Sequence, residues 1–242
     1  MKRKRYSLAD YNKKESFKDA TRFFIIYEGE VKEPKYFETF NSHYLNPRTA
    51  CILHVFENDT KVIGSQPKKL IERAKAFIDN PPKDLLITPT EDDKFRFVLD
   101  VDDHPEEQFD ELKNYCDSLN DAQLFISNYC FEVWLWLHMD EPMNIRCSSS
   151  IDMKTELGEK HKELKFKNYP KSYLEIDRLT QAIDRAEKCD MNKDYYFPSE
   201  KSSKIYLLMQ ELLNFSVVNR SVKEAETLNP DAEGVDNEEI IS

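Results

Sequence analysis

The chain predicts an α/β fold: a parallel sheet of about four strands flanked by helices, continued by a helical C-terminal extension. Short apolar runs alternate with helix-patterned segments, strand then helix, four times between Arg22 and Met139. The third run, FRFVLDVDDH at 95–104, is apolar on both faces, as strands covered on both sides are. Acids gather where strands end, with Glu28 after the first and Asp100, Asp102 and Asp103 at the third.

Residues 1–20 are rich in Lys and Arg and lack hydrophobic periodicity. They predict a basic flexible arm, either solvated or touching phosphate backbones. Arg22–Tyr27 (RFFIIY) is too short for an independent helix and is stopped by Glu28-Gly29, so it reads as the first strand. EGEVKEPKYFETF then turns into a helix, with Pro34 in its opening turn and Tyr36, Phe37 and Phe40 on its core face. Cys51–Phe56 (CILHVF) is the second strand. A helix from about Pro67 to Ile78 follows, with Ser65 as its N-cap and Leu70, Ile71, Ala74, Phe77 and Ile78 as its buried stripe. Residues 79–93 hold three prolines and predict a surface loop.

After the acidic strand comes a helix from about Pro105 to Leu119, a fourth strand at Ala122–Ser127, and a very apolar helix from near Tyr129 through FEVWLWLHM. Residues 140–168 are polar and poor in large aliphatics. Helices at Ile176–Cys189 and Ser202–Phe215 complete the fold, and the acidic segment that follows lacks periodicity. The expected organisation is therefore an arm (1–20), a sheet domain (21–140), a mainly helical extension with a lysine-rich segment (141–220) and an acidic disordered tail (221–242).

Among 242 residues the formal net charge is −11, which argues against a protein that coats polyanions nonspecifically and leaves room only for local basic patches. Five widely spaced cysteines without a Cys-x-x-Cys pair fit reduced thiols rather than a disulfide frame or zinc site. No apolar signal core follows the basic start and no run approaches a membrane span, so a cytoplasmic protein without a membrane partner is expected. Self-association is open.

The chemistry concentrates in a few side chains. In an extended segment Asp100 and Asp102 share a face, which makes half of a hard-cation site or, more simply, a strand end in a solvated turn. Ligands of parallel sheets sit beyond the carboxyl ends of the strands, where strand order reverses. Glu28 joins the aspartates there if strands 1 and 3 are neighbours, and Glu30 faces the same pocket or lies in an exposed turn. Glu132 meets its helix dipole, or, if buried in CFEVWLWLH, needs a partner: Arg96, a lysine from 160–171, the metal or substrate. Ser127 and Asn128 either cap the next helix or hold a phosphate or ligand water. His138 is a core histidine or a base. Lys160, Lys162, Lys165, Lys167 and Lys171, mixed with Phe166, Tyr169 and Tyr173, make either a solvated loop or a nucleic-acid surface, with Lys165 and Lys167 as the substrate contacts.

The segments FFIIYEGEVKEPKYF (23–37), FVLDVDDH (97–104) and FISNYCFEVWLWLH (125–138) resemble the RloB-like family, and the sheet portion resembles a Toprim domain, a Rossmann-like fold. The resemblance rests on Glu28-Gly29 at the end of one strand and Asp100-Val101-Asp102 at the end of a later one. It implies a Mg²⁺- or Mn²⁺-dependent nuclease, a hydrolase cleaving DNA or RNA. Such a subunit would serve a prokaryotic anti-phage, abortive-infection or restriction-associated system, beside an SMC/ABC-type ATPase. Carried over, Glu28 is an acid/base or ligand and Asp100 and Asp102 are metal ligands; Glu132, weighed above on its own position, is counted with them as a catalytic candidate. His104 stands where many Toprim domains carry a glycine-bearing turn. Two other readings are a receiver-like signalling domain and a non-catalytic scaffold that binds the ATPase. The first lacks a fifth strand ending in a pocket lysine.

Overall fold

The computed structural model describes residues 20–29, 31–45, 51–55, 66–81, 89–102, 104–160 and 171–216. Strands β1 (Thr21–Tyr27), β2 (Cys51–Val55), β3 (Lys94–Asp100) and β4 (Ala122–Asn128) run parallel, and a two-residue strand β5 (Ser202–Ser203) joins antiparallel, in the order β2-β1-β3-β4-β5. The helices are α1 (Lys32–Tyr44), α2 (Pro67–Asp79), α3 (Glu107–Asp117), α4 (Phe131–Leu137), α5 (Ser150–Lys160), α6 (Ile176–Cys189) and α7 (Ile205–Leu213). The α/β fold expected from the alternation of runs is the one observed.

Strand periodicity divides the core in two. Phe24 and Ile26 of β1 and Phe95, Phe97 and Leu99 of β3 face one side, where Leu70, Ala74 and Phe77 of α2 and Phe109 and Leu112 of α3 cover them. Phe23, Ile25 and Tyr27 of β1, Val98 of β3 and Phe125 of β4 face the other side. That side is covered by α1, α4, α5, α6 and α7. Asp100 lies two residues beyond Val98 and therefore faces the side that carries the first turns of α1 and α4.

Two elements differ from expectation. The polar stretch 140–168 contains α5, a helix anchored by buried Met153 and Leu157 one turn apart. The Ser149 hydroxyl accepts the Asp152 backbone N–H at 3.2 Å and donates to its carboxylate at 2.8 Å, so a local cap starts a helix whose buried face is only one residue wide. Ser202 does not begin the last helix. The Lys204 N–H donates to the Ile126 carbonyl (2.8 Å) and the Ser127 and Ser203 hydroxyls bond at 2.8 Å, drawing Ser202–Ser203 out as a sheet edge before α7 starts at Ile205.

Candidate functional site

Because β1 lies between β2 and β3, the chain leaves β1 toward one neighbour and later returns on its other side, creating a crevice at the carboxyl ends of β1 and β3. The Glu28 N–H donates to the Val98 carbonyl (3.0 Å), and Glu28 Oε2 accepts the Asp100 N–H (3.2 Å). Backbone pairing thus brings the Glu28 carboxylate onto the backbone of a residue 72 positions away. Beyond Asp100 the strand stops. The Val101 N–H donates to the Ser127 carbonyl (3.0 Å) and the Asp102 N–H to the Tyr129 carbonyl (2.9 Å), while Asp102 takes a left-handed φ of 44°. Aspartate is among the few side chains that visit this region readily. Asp102 consequently reaches the crevice through a turn, and strand alternation does not govern its direction as the sequence suggested.

Two further acids enter from the helices. Glu33, in the first turn of α1, and Glu132, in the first turn of α4, are both buried. The Glu33 carboxylate lies against Gly29 of the Glu28-Gly29 pair, in the space where a methyl group would otherwise stand. Glu28, Glu33, Asp100, Asp102 and Glu132 repel one another through this small volume.

Burial, helped by the charges of Asp102 and Glu33 and opposed by the Asp100 N–H, pushes Glu28 up to about 8. Burial, with Glu132 adding, pushes Glu33 up to about 7. Asp100 is held well above the usual carboxylate range by burial and then by its acidic neighbours, Glu33 first. Two cations offset part of this charge. Lys32 makes a close ion pair with Glu132, and Lys154 of α5 stands 3.7 Å from Asp102 Oδ1. Burial disfavours the Lys154 ammonium, but Glu132 and Asp102 outweigh it and raise its pKa to about 12.

The partner of Glu132 is Lys32, not Arg96. Arg96 is fully buried nearer the start of β3, where it donates to both Glu211 oxygens (2.8 and 2.7 Å) and to Asp121 (2.7 Å), clamping the sheet to α7. A guanidinium so far from the strand's carboxyl end cannot serve the crevice. Ser127 pairs with Asp100 in register but its hydroxyl is bonded to Ser203, and the Asn128 amide donates to the Pro198 carbonyl at 3.2 Å. Both side chains thus hold the β5 segment against β4.

His138 is a core histidine. Its Nδ1 lies 3.0 Å from the Trp134 carbonyl, which can only accept, so Nδ1 carries the proton and Nε2 receives the Tyr36 hydroxyl at 3.1 Å. Burial foremost depresses its pKa to about 4. Lys160, from the lysine-rich stretch, pairs with Asp140 and lies 4.1 Å over the Trp136 ring. Lys165, Lys167, Glu30, Asp103 and Ser65 lie outside the described residues. Sequence reasoning missed Glu33, Lys32 and Lys154. Glu33 had a legible signal, an acid beside Pro34 in an opening helical turn, whereas Lys154 is one lysine among many.

Among the described residues no three His, Cys, Asp or Glu side chains stand in geometry that holds an ion. Glu28, Asp100 and Asp102 are brought together, then, without forming a finished three-ligand cage. Asp100 Oδ1 and Asp102 Oδ1 are nevertheless buried and accept no hydrogen bond. Buried carboxyl oxygens without a hydrogen bond are costly away from water, and Mg²⁺ is commonly held by one or two carboxylates plus waters and substrate phosphate. Asp100 and Asp102 fit that requirement, with Glu28 adjacent.

No helix among the described residues is long and apolar enough to cross a membrane. No curated protein and no solved structure gives a significant match. The model of the RloB-like protein family matches residues 23–212, a span that takes in β1 and Glu28, β3 with its aspartates, and all of the helical extension through Leu212. The chain belongs to the RloB-like family.

Proposed function

We propose that this protein is a divalent-metal-dependent phosphodiesterase, a nuclease-like effector of a prokaryotic anti-phage or restriction-associated system that works beside a partner ATPase. One observation carries the reading: two buried carboxylate oxygens, on Asp100 and Asp102, accept no hydrogen bond beside the sheet's topological switch point. Asp100 and Asp102 would hold Mg²⁺ or Mn²⁺, and the bound ion supplies Lewis-acid polarisation of a phosphodiester. Glu28, whose carboxylate lies against the Asp100 backbone, would serve as the acid that gives a proton to the departing oxygen. Glu132, held by Lys32, would add a further acid beside them.

The test is incubation of the purified protein with DNA and with RNA, including tRNA, in Mg²⁺ or Mn²⁺, alone and with the ATPase encoded beside it. Cleavage that Asp100→Ala lowers by at least 100-fold is the expected result, a loss of the size that follows removal of one transition-state contact. If neither preparation cleaves any of these substrates, the hydrolytic reading is wrong and a scaffold that binds the ATPase replaces it.

A further inference from the structure

We propose that Lys154 is the substrate's phosphate contact, a cation parked beside the acids that turns to the polyanion when a divalent ion enters. The inference rests on the hydrolytic reading above and adds a recognition residue to the same crevice.

Lys32 and Lys154 supply positive charge to the same acids but are held differently. The Lys32 ammonium is directly hydrogen-bonded to Glu132, whose side chain is almost wholly buried, so moving it would strand a buried carboxylate. Lys154 approaches Asp102 Oδ1 at 3.7 Å, too far for a hydrogen bond, and its side chain is 44 % exposed. Its attachment is purely coulombic and one face of the side chain is already in water. Its backbone, by contrast, is well placed: α5 is fixed by Met153 next to it and Leu157 a turn away, both buried.

Occupancy of the aspartates by a divalent ion would cancel the attraction that holds the ammonium over Asp102. The ammonium would then be free to turn toward solvent and meet the non-bridging oxygens of a phosphodiester. A lysine suits this task because its ammonium is a compact charge on a four-carbon stem that can swing without a fixed fork geometry. The requirement is acute in a protein of net charge −11, whose overall field opposes the approach of a polyanion.

Fluorescence anisotropy with labelled single-stranded DNA and RNA oligonucleotides, titrated across salt in Mn²⁺, reads this contact directly, and cleavage of the same oligonucleotides reads the hydrolytic function. Lys154→Met is expected to weaken binding about tenfold at low salt and to lower the slope of log affinity against log salt by about 0.7, one single-strand phosphate contact. Lys154→Arg, which keeps the charge, should restore most of both. Wild-type affinity and slope in Lys154→Met, with or without cleavage, would overturn the proposal and leave Lys154 as an internal counter-ion. Failure of the wild type to bind either oligonucleotide would overturn it as well. Binding that depends on Lys154 without any cleavage, alone or with the ATPase, supports the contact and removes only the hydrolytic reading.

Discussion

At the scale of single residues, the crevice is a place where folding and chemistry pull in opposite directions. Glu28, Glu33 and Asp100 all bind protons more tightly folded than unfolded, because burial and mutual repulsion penalise their charged forms. The folded state therefore holds more protons than the unfolded one between the ordinary carboxylate range, about 4.5, and the raised values of about 7 for Glu33 and about 8 for Glu28. Stability must fall as pH rises through that window, by on the order of a few kcal/mol. Urea unfolding in EDTA at pH 5, 6.5 and 8 should show this decline. Asp100→Asn, which removes one buried titrating carboxyl at nearly constant shape, should flatten the decline and raise stability at pH 8 by about 1–2 kcal/mol. Millimolar Mn²⁺ should stabilise the wild type at pH 8 and leave Asp100→Asn unmoved. A profile that is flat or rises with pH would show that the acids are not mutually strained.

At the scale of elements, the decisive connection is the one between β4 and the segment after α6. The Lys204 ammonium donates to both Asp190 oxygens (2.7 and 2.6 Å) and to the Asn192 carbonyl (2.7 Å), and the Tyr206 hydroxyl adds a third bond to Asp190 (2.8 Å). Lys204 also donates its backbone N–H to Ile126, so one residue ties the end of α6, the start of α7 and the sheet edge together. Lys204→Met should cost about 3–5 kcal/mol in urea unfolding, because Asp190 would stay buried without its cation. Substituting both members with apolar residues should recover much of that loss. Such a clamp was not legible in the sequence, where Asp190 and Lys204 look like ordinary surface charges on either side of a polar loop.

At the scale of the molecule, the helical extension shares one apolar cluster with the sheet. Leu179 and Ile183 of α6 and Leu208, Met209 and Leu212 of α7 belong to the same buried group as Phe23, Ile25, Trp134 and Trp136. Without residues beyond 140, one face of the sheet and both tryptophans would lose part of their cover, and β4 would lose its β5 neighbour. A fragment of residues 1–140 is therefore expected to lack a cooperative urea transition by tryptophan fluorescence and circular dichroism, whereas the full chain shows one. A sharp transition in the fragment would mark the sheet portion as an independent folding unit.

Much of this protein can be read from its sequence because the signals are local. Uninterrupted apolar runs such as RFFIIY and FRFVLD leave little choice but buried parallel strands, and a strand that ends in acid places that acid at the sheet's carboxyl edge. Glu28, Asp100 and Asp102 were identifiable for that reason, before any contact was known. What tertiary packing alone decided was the company they keep. Glu33, Lys32 and Lys154 reach the crevice from α1 and α5, Arg96 is drawn away to Glu211, and Ser127 is taken by Ser203. Charge pairing and hydroxyl pairing carry no periodicity along the chain. They depend on which helix ends fall over which strand ends, and that is settled only when both faces of the sheet are covered.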